Sequence, residues 1–463
     1  MNPWRQRPAD DVAALDLDAI RPCLEGAIPG VMATCAADGT PNVTYVSQVE
    51  YVDSRHLALS FQFFNKTRRN VLANPWVELL VVHPAHGATY RIGGRYLRTE
   101  TEGALFESMK AKLAGIASHT GMSGVFRLRG ADVYAVDGVD QVAAPQQAPP
   151  PGGLNRLSAL RRCVQRVAAS ADLDSLVEHT LDGVVHDFGV EHAMLLMLEA
   201  GGQRLYTVAS RGYGPSGAGS EIPLGEGVIG VAARMGAPIR INHATLEYGY
   251  SRAMRERLDR QRLEREIPLP GLAQPGSQLA LPLACGGQLL GVLFVESPQD
   301  MRFSWDDEDA LVALAAQFAA HATALSRAAQ AGADEPEAVS STVSHMAPPT
   351  TATAALPLRV RHYEADGSIF LDDDYLIKGV AGAVLWKLLR DHDADGRTEF
   401  SNRELRLAPE IGLPDVGDNL EARLVLLTRR LADRQACVQL QRTGRGRFRL
   451  CLKRPLQLLN VPR

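Results

Sequence analysis

The run Phe61-Gln62-Phe63-Phe64-Asn65-Lys66-Thr67-Arg68-Arg69-Asn70 joins an apolar strand to a helix that opens with a hydroxyl and three cations. The first turn of a helix carries backbone N–H groups without intrahelical partners, and the helix dipole adds positive potential there. A dianionic phosphate fits such a place, held by those amides and by charge-assisted bonds from lysine and arginine. The aromatic residues just before it could flank a planar ring. The same run also reads as a solvated basic helix start with phenylalanines in the core. Spacing alone leaves the two readings level.

A second concentration of chemistry lies near the C-terminus. From Asp418 to Arg463 there are eleven Lys/Arg against three Asp/Glu. A helical stretch over 419–431 ends in Arg429-Arg430-Leu431, and a Gly-rich hairpin turn follows with Arg442, Arg445, Arg447 and Arg449. Such a surface neutralises phosphates, and a helix bearing Arg423, Thr428, Arg429 and Arg430 could reach base edges. Two features oppose this. Leu424-Val425-Leu426-Leu427 makes the helix unusually apolar, and Asp372-Asp373-Asp374 places negative charge nearby.

Other motifs resolve to plainer readings. Gly225-Glu226-Gly227-Val228-Ile229-Gly230 has the glycine spacing of a dinucleotide loop, but a Gly/Ser/Pro loop precedes it where a buried strand is required. Asp391-x-Asp393-x-Asp395-Gly396 imitates a calcium loop, yet Asn402 stands where the bidentate glutamate belongs, so a solvated acidic turn is expected. His83, His86 and His119 read as loop histidines before they read as haem or metal ligands. The six cysteines form no two-residue-spaced pair, which argues against a zinc ribbon.

Those residues need several elements to hold them. A chain of 463 residues exceeds one ordinary core, and its 46% hydrophobic and 22% charged fractions are those of globular protein. A net charge of −4 excludes a uniformly basic nucleic-acid binder. The reading is an α/β multidomain protein with linkers at 141–153, rich in Pro and Gln, and at 329–356, rich in Ala, Pro, Ser and Thr. Residues 1–140 show short strands, helices over Lys66–Ala73 and Glu102–Ile116, and a strand pair bracketing Gly130-Ala131-Asp132: a closed or split β-barrel. Residues 154–328 show two amphipathic helices, four strands and a long helix with Leu311, Leu314, Phe318 and Leu325 on one stripe. Residues 357–463 alternate short strands and helices before the final hairpin. No signal peptide or membrane span is read, so a cytoplasmic location is expected.

With Asp38-Gly39-Thr40-Pro41 and Ala73-Asn74-Pro75, the first run resembles the pyridoxamine 5′-phosphate oxidase-like split barrel, a family of FMN-binding homodimers. That resemblance implies FMN contacts from Ser60, Gln62, Asn65, Lys66 and Thr67, and less directly from Gln48 and Arg68. The basic substrate-phosphate cluster of a true oxidase is not evident, so the flavin is expected without that reaction. Residues 222–239, then Leu281-Pro282-Leu283, Phe303 and Asp307-Glu308, resemble the GAF family. The resemblance implies an α/β sandwich with an unidentified small-molecule ligand; the Asn-Lys pair of cyclic-nucleotide binders is missing, with Glu296-Ser297 near its place. The last region resembles the winged helix of response regulators, which implies double-stranded DNA as partner through Arg423, Thr428, Arg429, Arg430, Arg442, Arg445 and Arg447. The expected function is a ligand- or redox-responsive transcription regulator. The alternatives are a flavin-dependent oxidoreductase or haem-degrading enzyme, and a signalling scaffold whose winged helix binds protein.

Overall fold

The computed structural model describes residues 16–24, 28–46, 48–61, 66–119, 127–145, 154–199, 201–242, 267–333, 356–412, 420–444 and 446–462. Seven strands form the first sheet: β1 (Gly30–Cys35), β2 (Pro41–Val46), β3 (Val49–Asp53), β4 (His56–Phe61), β5 (Trp76–Val82), β6 (Thr89–Glu100) and β7 (Gly130–Ala143), in the order β2-β1-β5-β6-β7-β4-β3. Buried Val46 on one edge strand and Val49 on the other share a single core with Leu79 and Ile92. Both sheet edges therefore close on one interior, as the barrel reading expects. Helix α1 (Lys66–Ala73) has the expected bounds, and α2 spans Ala104–His119. The expected strand pair around Gly130-Ala131-Asp132 is instead one strand, β7, which runs on to Ala143. Its pairing with both β4 and β6 outweighs the local turn-like composition.

The second unit has helices α3 (Arg156–Ala168) and α4 (Leu173–His186), then β8 (His192–Leu198), β9 (Arg204–Arg211) and β10 (Glu221–Pro223). Helix α5 (Gly227–Met235), β11 (Ile239–Ile241), β12 (Ser277–Cys285), β13 (Gln288–Ser297) and α6 (Trp305–Ala333) complete it. The sheet order is β10-β9-β8-β13-β12-β11. Alternation along the strands sends Leu195, Leu281 and Leu293 toward α3, α4 and α6, and Met194, Ala280 and Phe294 toward α5. Helix α4 starts at a capping box in which Asp172 accepts from the Ser175 N–H at 2.9 Å. The α6 stripe is core: Leu311, Leu314 and Phe318 are fully buried.

The glycines of 225–230 serve a tight turn. Gly225 and Gly227 have positive φ (89° and 59°), and a Cβ on Gly230 would lie 2.3 Å from the Pro223 carbonyl oxygen. The first unit docks on this one through α2, whose Gly115 leaves room for Ile239: a Cβ there would sit 2.6 Å from Ile239 Cγ2. Beside it, Arg21, Lys112 and Arg240 approach the Trp305 ring at 4.7, 4.6 and 4.4 Å.

The third unit opens with β14 (Leu358–Tyr363), β15 (Ser368–Leu371) and β16 (Asp374–Ile377). Helix α7 (Gly379–Asp395), β17 (Glu399–Ser401), α8 (Asn402–Leu407) and α9 (Leu420–Asp433) follow. The hairpin β18 (Val438–Gly444) and β19 (Arg447–Leu452) and the strand β20 (Leu456–Val461) end it. The leading strand is Leu358–Tyr363, and β20, unforeseen in the sequence, pairs with it in parallel. Sheets of order β16-β15-β14-β20 and β17-β19-β18 bracket the helices. The cores of the second and third units merge into one cluster.

Candidate functional sites

At the β4–α1 junction, β4 pairs with β7 so that Ser60 lies opposite Ala131, and the Ser60 N–H donates to the Gln48 carbonyl at 3.3 Å. Lys66 begins α1 and is exposed, and no carboxylate occupies the helix's first turn. The Thr67 hydroxyl accepts from Asn42 Nδ2 at 2.9 Å. Asn42 and Asn70 also donate to the Thr34 hydroxyl, at 3.3 and 3.2 Å, tying α1 to β1 and β2. These three residues were not singled out in the sequence, because they converge from separate elements. A bond from the Thr40 N–H holds the Asp38 carboxyl below its ordinary pKa, with the Lys66 charge adding to it. Gln62 and Asn65 lie outside the described residues.

The two weaker candidates at this junction have other tasks. Gln48 is buried, and its side-chain amide donates to the Met109 carbonyl of α2 at 3.2 Å. Arg68 donates to Asp132 at 2.5 Å and to Thr99 at 2.7 Å, and its guanidinium stacks 4.5 Å from the Phe61 ring. Burial raises the Asp132 pKa despite the Thr99 bond and the Arg68 charge. The exposed lysine, the helix-start amides and the absence of acid in the first turn fit an anionic phosphate. The flavin contacts these residues would make are Lys66 and the α1 amides to the phosphate, with Thr67 beside them.

On the α5 side of the second sheet, buried Glu296 accepts from the Leu272 N–H at 2.7 Å and from Gln278 Nε2 at 2.9 Å. The Tyr213 ring packs 5.3 Å from His192, and burial, then the Glu296 charge, push the tyrosine's pKa up. A polar end on an apolar sheet face is the kind of place that orients a small ligand. The Asp307-Glu308 pair serves the scaffold: Asp307 accepts from Arg156 Nε at 2.7 Å, and Glu308 from Arg240 Nε at 2.6 Å. Burial works against the Asp307 charge, but Arg156 and the Ser304 N–H outweigh it and its pKa falls. His83 and His86 stack on each other at 3.6 Å, and among the described residues no group of three His, Cys, Asp or Glu could hold a metal ion.

The arginines of the third unit divide sharply. Arg423 is buried, with its guanidinium 4.0 Å from the Tyr206 ring of β9, so it does not face solvent as the base-reading expectation requires. Arg430 is buried too, donating to the Leu376 carbonyl at 2.9 Å, and burial lowers its pKa. It is a structural residue of its own unit. Arg429 pairs with Asp174 at 2.8 Å and with Glu178 at 2.6 Å on α4, and Arg442 pairs with Asp172 at 2.5 Å. Thr428 and Arg447 are exposed, and Arg445 lies outside the described residues.

Residues 17–137 match the family model described as pyridoxamine 5′-phosphate oxidase, and residues 170–321 match the one described as GAF domain. The chain is thus a mixed α/β multidomain protein with a pyridoxamine phosphate oxidase-like domain followed by a GAF domain. No curated protein matches it. Among solved structures, the GAF domain of an Acinetobacter phosphoenolpyruvate-protein phosphotransferase is 25% identical, over 38% of this chain and 97% of its own, with a TM-score of 0.31. A free methionine-R-sulfoxide reductase from Neisseria meningitidis is 18% identical over 37% of this chain and 91% of its own (TM-score 0.30). An FMN-binding protein from Syntrophomonas wolfei is 15% identical over 26% of this chain and 80% of its own (TM-score 0.22). No helix among the described residues is long and apolar enough to cross a membrane.

Proposed function

We propose that the chain is a cytoplasmic, ligand- or redox-responsive regulator that holds FMN in its first domain and a second small molecule in its GAF domain. The observation that carries the flavin reading is the α1 start, where exposed Lys66 opens the helix and no carboxylate stands in its first turn. Buried Glu296 and Gln278, beside half-buried Tyr213, support a GAF ligand with hydrogen-bond donors. In this reading the third unit is a winged helix: sheet, three helices, then an arginine-bearing hairpin, with duplex DNA as its partner. The flavin serves as a sensor group and not as the catalyst of an oxidase reaction. The reading includes a homodimer, supported by the outer face of edge strand β2, where Val43 and Tyr45 are 66% and 80% exposed. The test is an absorption spectrum of the purified chain, with the released small molecules identified by mass. FMN supports the proposal; a colourless chain that ignores added FMN defeats it.

One observation favours a second reading for the third unit. Its α9 buries Val425 and Leu426, and Leu426 Cδ1 reaches to 3.8 Å from where a Gly219 Cβ would be. A helix with that apolar face suits a protein-docking role.

A further inference from the structure

We infer that the acidic side of GAF helix α4 occupies the nucleic-acid face of the third unit, so that these carboxylates and a duplex compete for the same arginines. This rests on the winged-helix reading above and adds its regulation. Helix α4 carries Asp174, Glu178 and Asp182 one turn apart, preceded by the N-cap Asp172. Three of these four carboxylates meet the third unit: Asp174 and Glu178 hold Arg429, and Asp172 holds Arg442 of the hairpin. Further along the contact, Lys378 pairs with Glu221 at 3.4 Å, and Arg423 comes within 3.9 Å of Glu199. Acid on the GAF side and base on the other recur at every one of these contacts. A row of carboxylates set against arginines from a helix and a hairpin presents those arginines with the charge pattern of a phosphate backbone.

The helix is held as well as neutralised. Leu426 is buried beside Gly219, and the Arg423 guanidinium lies 4.0 Å from the Tyr206 ring. A cleft of about 140 Å³ remains between the units, lined by Leu173, Asp174, Leu424, Thr428, Arg442 and Arg447. With α9 docked in this way, it cannot enter a major groove. Duplex binding therefore requires separation of the two units, and the GAF domain, which carries the carboxylates, sets how readily that happens.

The experiment uses the full chain and a variant, Asp174→Lys with Glu178→Lys, at sites 40% exposed or more and outside the apolar GAF core. Glu178 also pairs with Arg211 of its own domain, so the variant's melting temperature is compared with that of the unaltered chain. Hydrogen exchange of 420–433 reports the contact, and fluorescence anisotropy with mixed-sequence duplex at low salt reports binding. The variant should lose protection over 420–433 and bind duplex roughly tenfold tighter or more. In the unaltered chain, added duplex should deprotect the start of α4. If the unaltered chain binds as tightly as the variant while 420–433 stays protected, competition is overturned and DNA binding stands. If neither binds although the variant's 420–433 is open, the winged-helix DNA reading falls, and the inference with it.

Discussion

At the scale of single residues, the chain separates groups that hold the fold from groups left open to a ligand. Arg68 and Lys66 are two positions apart, yet one is bound to Asp132 in the barrel wall and the other is exposed. Replacing Lys66 and Thr67 together with Ala should yield a stable protein that retains little flavin, since each charge-assisted phosphate contact is worth about 1.5–3 kcal/mol. Replacing Asp132 with Ala should act on stability instead. Removing one partner of a buried pair strands the other charge and costs about 3–5 kcal/mol, readable as a lower denaturant midpoint. Asp307 gives a pH signature. Its folded pKa lies below the ordinary 3.8, so its contribution is full above that value and is lost as pH falls through the lower folded one. Asp307→Asn should flatten the acid limb of a stability-against-pH curve in that window. An unchanged limb would show that the Arg156 pair contributes nothing there.

At the scale of elements, local signals were legible and distant pairings were not. Helix α1 has its sequence-read bounds because a basic, polar segment follows an apolar strand and stops at Asn74-Pro75. The partner of Arg68 could not be read, since Asp132 lies 64 residues away on a strand that looked like a turn. Strand β20 was missed for the same reason: Leu456–Val461 pairs with Leu358–Tyr363, nearly a hundred residues earlier. The apolar run Leu424–Leu427 was visible as an anomaly in a DNA-reading helix, but its cause, contact with the GAF domain, belongs to tertiary structure. The GAF turn was read correctly as something other than a dinucleotide loop. Its glycines make a sharp prediction: Gly230→Ala forces a Cβ toward the Pro223 carbonyl oxygen and should destabilise by about 1–3 kcal/mol, seen as a lower melting temperature.

At the scale of the whole molecule, the units are joined by contacts of different character. The first meets the second through α2 and the cations around Trp305, close to the α5 side of the GAF sheet. The third meets the second through α9 and the acidic α4, and the two cores are continuous. The α5 side of the GAF sheet thus adjoins the first unit, while the third unit packs on the opposite, α4 side. Self-association should run through β2, so light scattering is expected to give twice 50.1 kDa, and Tyr45→Glu should halve the mass. A concentration-independent monomer would remove the dimer from the account. The claim on which the sensor reading depends is the flavin site. Titrating the apo chain with FMN, while following flavin fluorescence and the absorbance of the bound cofactor, should saturate at one FMN per chain, with the Lys66→Ala, Thr67→Ala chain showing little uptake. No saturable binding by the unaltered chain, or equal binding by both, would contradict the account.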